Sequence, residues 1–132
     1  MAEIIVRVKQ VGDSTSEATI RTHKVTIDRP QEKGGADKGA MGGELLLAGL
    51  GGCFMSNLLA AVKARGFDAA DLKTELVATL DSAPARFSAI EMKVSGRFAD
   101  RKEMEKLVSI AEKACIAANT LRGSVELRIT LI

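Results

Sequence analysis

Glu44-Leu45-Leu46-Leu47-Ala48-Gly49-Leu50-Gly51-Gly52-Cys53, continuing through Phe54, Met55, Ser56 and Asn57 to Val62, is the stretch that organises this chain. No charged side chain occurs in the 18 residues from Leu45 to Val62, close to the length that spans a bilayer. The run also holds Gly49, Gly51, Gly52, Ser56 and Asn57, and the segments around it read as soluble amphipathic elements. It therefore reads as the central helix of a core rather than a membrane span. A chain of 132 residues has little material to wrap such a helix on every side, so its burial points to a second subunit. The helix is expected from about Glu44 to Arg65, with Glu44 at its positive end and Lys63 and Arg65 at its negative end. Gly66 is placed to cap it.

Ahead of that helix lie strands and a glycine loop. Ile4, Val6 and Val8 alternate with Ile5, Arg7 and Lys9, the period of a strand. Gly12-Asp13-Ser14 supplies turn chemistry, and Thr19 to Asp28 resumes a β-rich run, so a hairpin is expected, closed by Pro30. Residues 31–43 carry five glycines, Gly34, Gly35, Gly39, Gly42 and Gly43. They fit a flexible connector or a loop lying over a site, where glycine permits close backbone approach. No phosphate-cradling G-x-x-x-x-G-K-[ST] pattern is present.

Beyond the helix, Leu72, Leu76 and Leu80 mark one face of a strand. Asp81, Ser82 and Pro84 make a turn, and Ile90, Met92, Val94 and Phe98 alternate in the next strand. Asp100 followed by Glu103 begins the last helix, where Met104, Leu107, Val108, Ala111, Ala114 and Cys115 form an apolar stripe. Cys115 is expected on its buried face, with Asn119 and Thr120 ending it. Val125, Leu127, Ile129 and Leu131 complete a final strand. The order is β-β-α-β-β-α-β, one α+β domain over residues 1–132, without repeat or linker.

Composition narrows the function. The chain is 46% hydrophobic and 27% charged, globular rather than disordered. Nineteen Lys and Arg against seventeen Asp and Glu leave +2, too balanced for a nucleic-acid or anionic-membrane partner. The four aromatic residues are all Phe, so there are no Tyr or Trp platforms for stacked bases. Two Cys and one His offer neither a disulfide framework nor closely spaced zinc ligands. The N-terminus, with Arg7 and Lys9 among alternating residues, reads as no signal peptide, and the cytoplasm is the default compartment.

Chemistry rests on Cys53 and Cys115. Both fit small core residues, and both fit a redox pair; 62 positions of separation do not decide whether they meet. A nucleophilic Cys must be a thiolate, and Cys53 lies too deep in its helix to draw on the N-terminal dipole. Arg7, Arg21, His23 and Arg122 are candidate cations, with Arg21 favoured because it shares a strand face with His23, and Glu44 is a candidate to orient a cation.

The blocks Gly34-Gly35-Ala36-Asp37-Lys38-Gly39 and Glu44 to Cys53, followed by Ala111-Glu112-Lys113-Ala114-Cys115, resemble the OsmC/Ohr family, in its broader OsmC-like branch. His23, Val25 and Asp28 also fit its pattern. The resemblance implies an intertwined homodimer, with antiparallel sheets around long central helices and the cysteines near the subunit interface. It implies a thiol-dependent peroxidase in which Cys53 attacks a small organic hydroperoxide and the sulfenic acid condenses with Cys115. A dithiol then reduces the disulfide, and no metal, haem or flavin takes part. Leu50, Phe54 and Met55 around the site would favour an apolar peroxide. The chain departs from the peroxidatic pattern at three places. Gly12-Asp13-Ser14 has no Arg at the first turn; Gly43 stands ten residues before Cys53, with Glu44 one residue later; and Ile116 and Gly42 replace prolines. The competing class is a non-enzymatic protein that binds a small apolar ligand or senses oxidants.

Overall fold

Three short strands dominate the first of the two units, Met1–Leu46 and Leu47–Ile132, into which the chain divides, in a computed structural model describing residues 1–132. Strands β1 (Arg7–Gln10), β2 (Ser16–Ile20) and β3 (His23–Ile27) form an antiparallel sheet in that order. The run from Thr19 to Asp28 is therefore not one strand. It reverses at Arg21–Thr22, where Ile20 pairs with His23 and Arg21 takes φ 56°. No Gly, Asn or Asp marks this turn, so the usual signal is missing. Arg21 stands in the turn, and the strand face it was expected to share with His23 does not exist. The alternating Ile4, Val6 and Val8 are all exposed.

The glycine loop is folded, not a loose connector. Asp28 is buried and accepts hydrogen bonds from the Thr15 hydroxyl at 2.8 Å, the Arg29 N–H at 2.7 Å and the Lys38 N–H at 3.3 Å. Its own N–H donates to the Ala40 carbonyl, and the Asp37 N–H donates to that of Arg29. A short 3-10 turn, Gln31–Lys33, lies between. Gly39 passes so close to the Thr26 carbonyl that a Cβ would overlap it, which is why glycine is needed there. Burial would raise the Asp28 pKa, but hydrogen bonds from the Arg29 N–H, the Thr15 and Ser14 hydroxyls and the Lys38 N–H outweigh it. They hold the carboxyl well below the usual carboxylate range.

Helix α1 (Gly42–Arg65) contains the boundary between the units. In the second unit its residues Leu50, Phe54 and Leu58, spaced by four, are fully buried. They share a core with Ile90, Met92 and Val94 of β5 (Ala85–Phe98) and with Met104, Leu107, Val108 and Ala111 of α2 (Arg101–Ala114). Burying Phe54 alone contributes about 1.5–3 kcal/mol. Gly51 lets α1 approach β4 (Ala69–Ser82), since a Cβ there would lie 2.8 Å from Leu76 Cδ1. In the single chain α1 is covered only along this stripe. It is long and apolar enough to cross a membrane, and 22% of its most apolar 18-residue window is buried.

Strands β4 and β5 pair antiparallel, with a register shift between Thr79 and Leu80. Leu80 lies past that shift and is exposed, so Leu72, Leu76 and Leu80 do not keep one buried face. Ile90, Met92 and Val94 do alternate inward. Strand β6 (Glu126–Leu131) joins β5 in parallel, which corrects the expectation of wholly antiparallel sheets. The helical connection through residues 99–125 is long enough for such a crossover. Asp100 caps α2 by accepting the Glu103 N–H at 3.1 Å. That helix ends at Ala114, not beyond Cys115, and α3 (Ile116–Leu121) begins anew. The observed order is β-β-β-α-β-β-α-α-β, an α+β fold.

Because the Asp28 pKa is depressed on folding, its contribution to stability is present above the ordinary carboxylate pKa and lost as pH falls through the folded value. Asp28→Asn should therefore lower the melting temperature at pH 7, with the gap to wild type narrowing below about pH 4. A constant gap between pH 7 and pH 3, read by differential scanning calorimetry, would contradict this origin of the stability.

Candidate functional site

Cys53 follows Gly51 and Gly52 on α1, one residue before the buried Phe54. A step of one residue turns 100° around a helix, so Cys53 sits at the margin of the buried stripe and is half-buried. Cys115 reaches the same place by a different route. It occupies the single extended residue between α2 and α3, with φ −76° and ψ 111°, and is fully buried. Cys53 packs against the core cluster that contains Cys115, and the two thiols lie close enough to shift each other's acidity. The second unit thus brings together the cysteines that sequence spacing left unconnected.

The backbone turn at Cys115 supplies the remaining polar groups. The Ala118 N–H donates to Cys115 Sγ at 3.4 Å. These effects separate the two acidities. For Cys53, burial raises the pKa, but the Ala117 N–H, the Cys115 thiol and the Ile116 N–H together carry it below the ordinary thiol value. For Cys115, burial raises the pKa, and its hydrogen bond and charge repulsion with Cys53 add to that against the opposing Ala118 and Ala117 N–H groups. The pair is thus unequal, with Cys53 the more acidic thiol and Cys115 the less acidic.

The break at Cys115 escaped the sequence analysis, which marked Ile116 only as standing where the resembling family has a proline. The three- and four-residue spacing runs on from Ala111 through Cys115 to Ala118, and no residue type marks the break. Asn119 does not end the helix of Cys115 but lies within α3, from where its side-chain amide donates to the Lys113 carbonyl of α2 at 3.0 Å. Thr120 lies within α3 and donates to the Ile116 carbonyl.

The other candidates are placed as follows. Arg122 belongs to the second unit and pairs with Glu112 at 3.2 Å. Arg7, Arg21 and His23 belong to the first unit, exposed in its strands and turn. Glu44 does too; its Oε1 accepts the Met41 N–H at 2.8 Å, a side chain reaching back over the start of α1. Leu50 and Phe54 are sealed in the core and Met55 packs against it.

The family model for OsmC-like proteins matches residues 35–130. No curated protein matches the sequence. Among solved structures, a hypothetical protein of Aquifex aeolicus VF5 is similar with a TM-score of 0.86 at 21% identity, over 100% of this chain and 96% of that one. An OsmC-like protein of Mycoplasma pneumoniae has a TM-score of 0.83 at 20% identity, over 99% and 98%. The organic hydroperoxide resistance protein OhrB of Bacillus subtilis has a TM-score of 0.68 at 20% identity, over 99% and 98%. At these identities the likeness establishes the fold.

The acidity difference has a direct readout. Limiting iodoacetamide at pH 7 should alkylate Cys53 about tenfold faster than Cys115 or more, because only the thiolate reacts. Equal labelling of both residues, measured by peptide mass spectrometry, would contradict the assignment of the thiolate to Cys53.

Proposed function

The chain belongs to the OsmC-like protein family, and on that footing we propose that it is a thiol-dependent peroxidase that reduces organic hydroperoxides through Cys53 and Cys115. The observation that carries this reading is the packing of one free cysteine against the cluster that holds the other, with their acidities shifted in opposite directions. The Cys53 thiolate attacks the distal peroxide oxygen, the O–O bond breaks, and the alkoxide takes up a proton and leaves as the alcohol. Cys53 is then a sulfenic acid. The Cys115 sulfur displaces its hydroxyl as water, forming the disulfide, and a dithiol reductant returns both thiols at the expense of its own oxidation. The apolar core against which Cys53 packs favours an apolar peroxide over hydrogen peroxide. Such a cycle suits a reducing compartment, and we place the protein in the cytoplasm.

We also propose that it works as a homodimer. Leu46 and Leu59 of α1 are about half exposed in the single chain, and Ile4 and Ile5 more so; a second copy would cover such surfaces.

Cumene hydroperoxide should consume both thiols of each chain and give a Cys53–Cys115 disulfide, while Cys115→Ser should stall at the sulfenic acid or go further. Survival of both thiols in excess peroxide would sink the peroxidase reading and favour a non-enzymatic ligand-binding or sensing role. Sedimentation at low micromolar concentration should show a dimer; a folded monomer there would remove the second proposal.

A further inference from the structure

Cys115 does for α3 what a serine or aspartate does at most helix starts. It is the extended residue immediately ahead of Ile116, and its sulfur accepts the Ala118 N–H at 3.4 Å. The first backbone bond of the helix comes one residue later, from the Asn119 N–H to the Cys115 carbonyl. With six residues, α3 is too short to hold by propensity alone, so its end contacts matter. At the far end Arg122, its C-cap, pairs with Glu112 of α2 at 3.2 Å, a partly exposed pair of a kind that contributes little. Ala117, Ala118 and Leu121 pack on the core. Cys115 is fully buried, so a reductant's thiolate has no approach to its sulfur while this segment stays in place.

A thiol sulfur is a weak acceptor, and in a disulfide it is weaker still, since it can no longer carry negative charge. We propose that Cys115 makes α3 a redox-responsive cover. As a thiol it caps the helix and keeps it closed; as half of a Cys53–Cys115 disulfide it gives up the cap, and Ile116–Leu121 opens to admit the dithiol. Two thiols give two electrons and two protons to the hydroperoxide, which becomes alcohol and water, and the reductant's two thiols restore them on becoming a disulfide. The inference rests on the disulfide pairing of the reading above.

The test is amide hydrogen exchange in the full-length protein, compared among reduced wild type, wild type oxidised with diamide, Cys115→Ser and Cys115→Ala. Serine keeps a capping side chain and alanine has none. In Cys115→Ala the Ala118 N–H should exchange about fivefold faster than in reduced wild type or more, and in Cys115→Ser within about a factor of two. Diamide should accelerate exchange across Ile116–Leu121, reversibly on adding dithiothreitol, while the amides of α2 around Leu107 keep their protection. Equal exchange in Cys115→Ala and reduced wild type would overturn the proposal. So would a disulfide form with α3 still protected, a loosening shared equally by α2, or failure of diamide to link the cysteines. Should Cys115→Ala not fold, the diamide comparison decides alone. Diamide is no hydroperoxide, so a protein whose α3 opens on this oxidation yet spares its thiols in cumene hydroperoxide refutes the peroxidase reading and leaves the cover standing. One that forms the disulfide with cumene hydroperoxide while α3 stays protected does the reverse.

Discussion

Leu50, Phe54 and Leu58 lock the rotation of α1 by burying one stripe against β5 and α2. Everything said of Cys53 depends on that setting. A helix with apolar residues on nearly every side has no amphipathic preference of its own, so the packing partner selects the face. Here the selected stripe passes beside Cys53, leaving it at the edge of the core rather than inside it. Gly51 adds a steric condition, because a Cβ there would lie 2.8 Å from Leu76 Cδ1 and the Leu76 side chain would have to shift. The half-burial of Cys53 is thus a consequence of core packing one to five residues away along the helix.

The second cysteine depends on a different constraint. Had α2 continued through Cys115, the backbone N–H groups there would have been consumed by carbonyls one turn earlier. The extended residue interrupts that ladder, and the Ala118 N–H turns to Cys115 Sγ. One local break therefore does two things: it buries Cys115 beside Cys53, and it turns a polar hydrogen to its sulfur. The two thiols differ in acidity because they lie unequally in this environment, Cys53 facing more donors and Cys115 facing the charge of its neighbour.

In the first unit, order comes from one carboxylate. Asp28 ties the Thr15 turn to the loop at Arg29 and Lys38, so a segment with five glycines between residues 31 and 43 adopts a defined path into α1. Glycine raises the entropy that ordering must overcome, and several hydrogen bonds to a charged acceptor offset it.

The sequence by itself determined the long α1, the inward alternation of Ile90, Met92 and Val94, the Asp100 cap and stripe of α2, and the two cysteine blocks that mark the family. These are local periodicities and local hydrogen bonds, written within one helical turn or one strand. It did not contain the reversal at Arg21–Thr22, which uses no turn-forming residue, nor the end of α2 at Ala114, where the apolar period continues unbroken. It also gave no hint that β6 would run parallel to β5. Only the tertiary structure decided those points, and with them the meeting of Cys53 and Cys115. Across 62 positions no periodicity links two side chains; they meet because the core fixes α1 and α2 and the backbone between α2 and α3 bends to satisfy that packing.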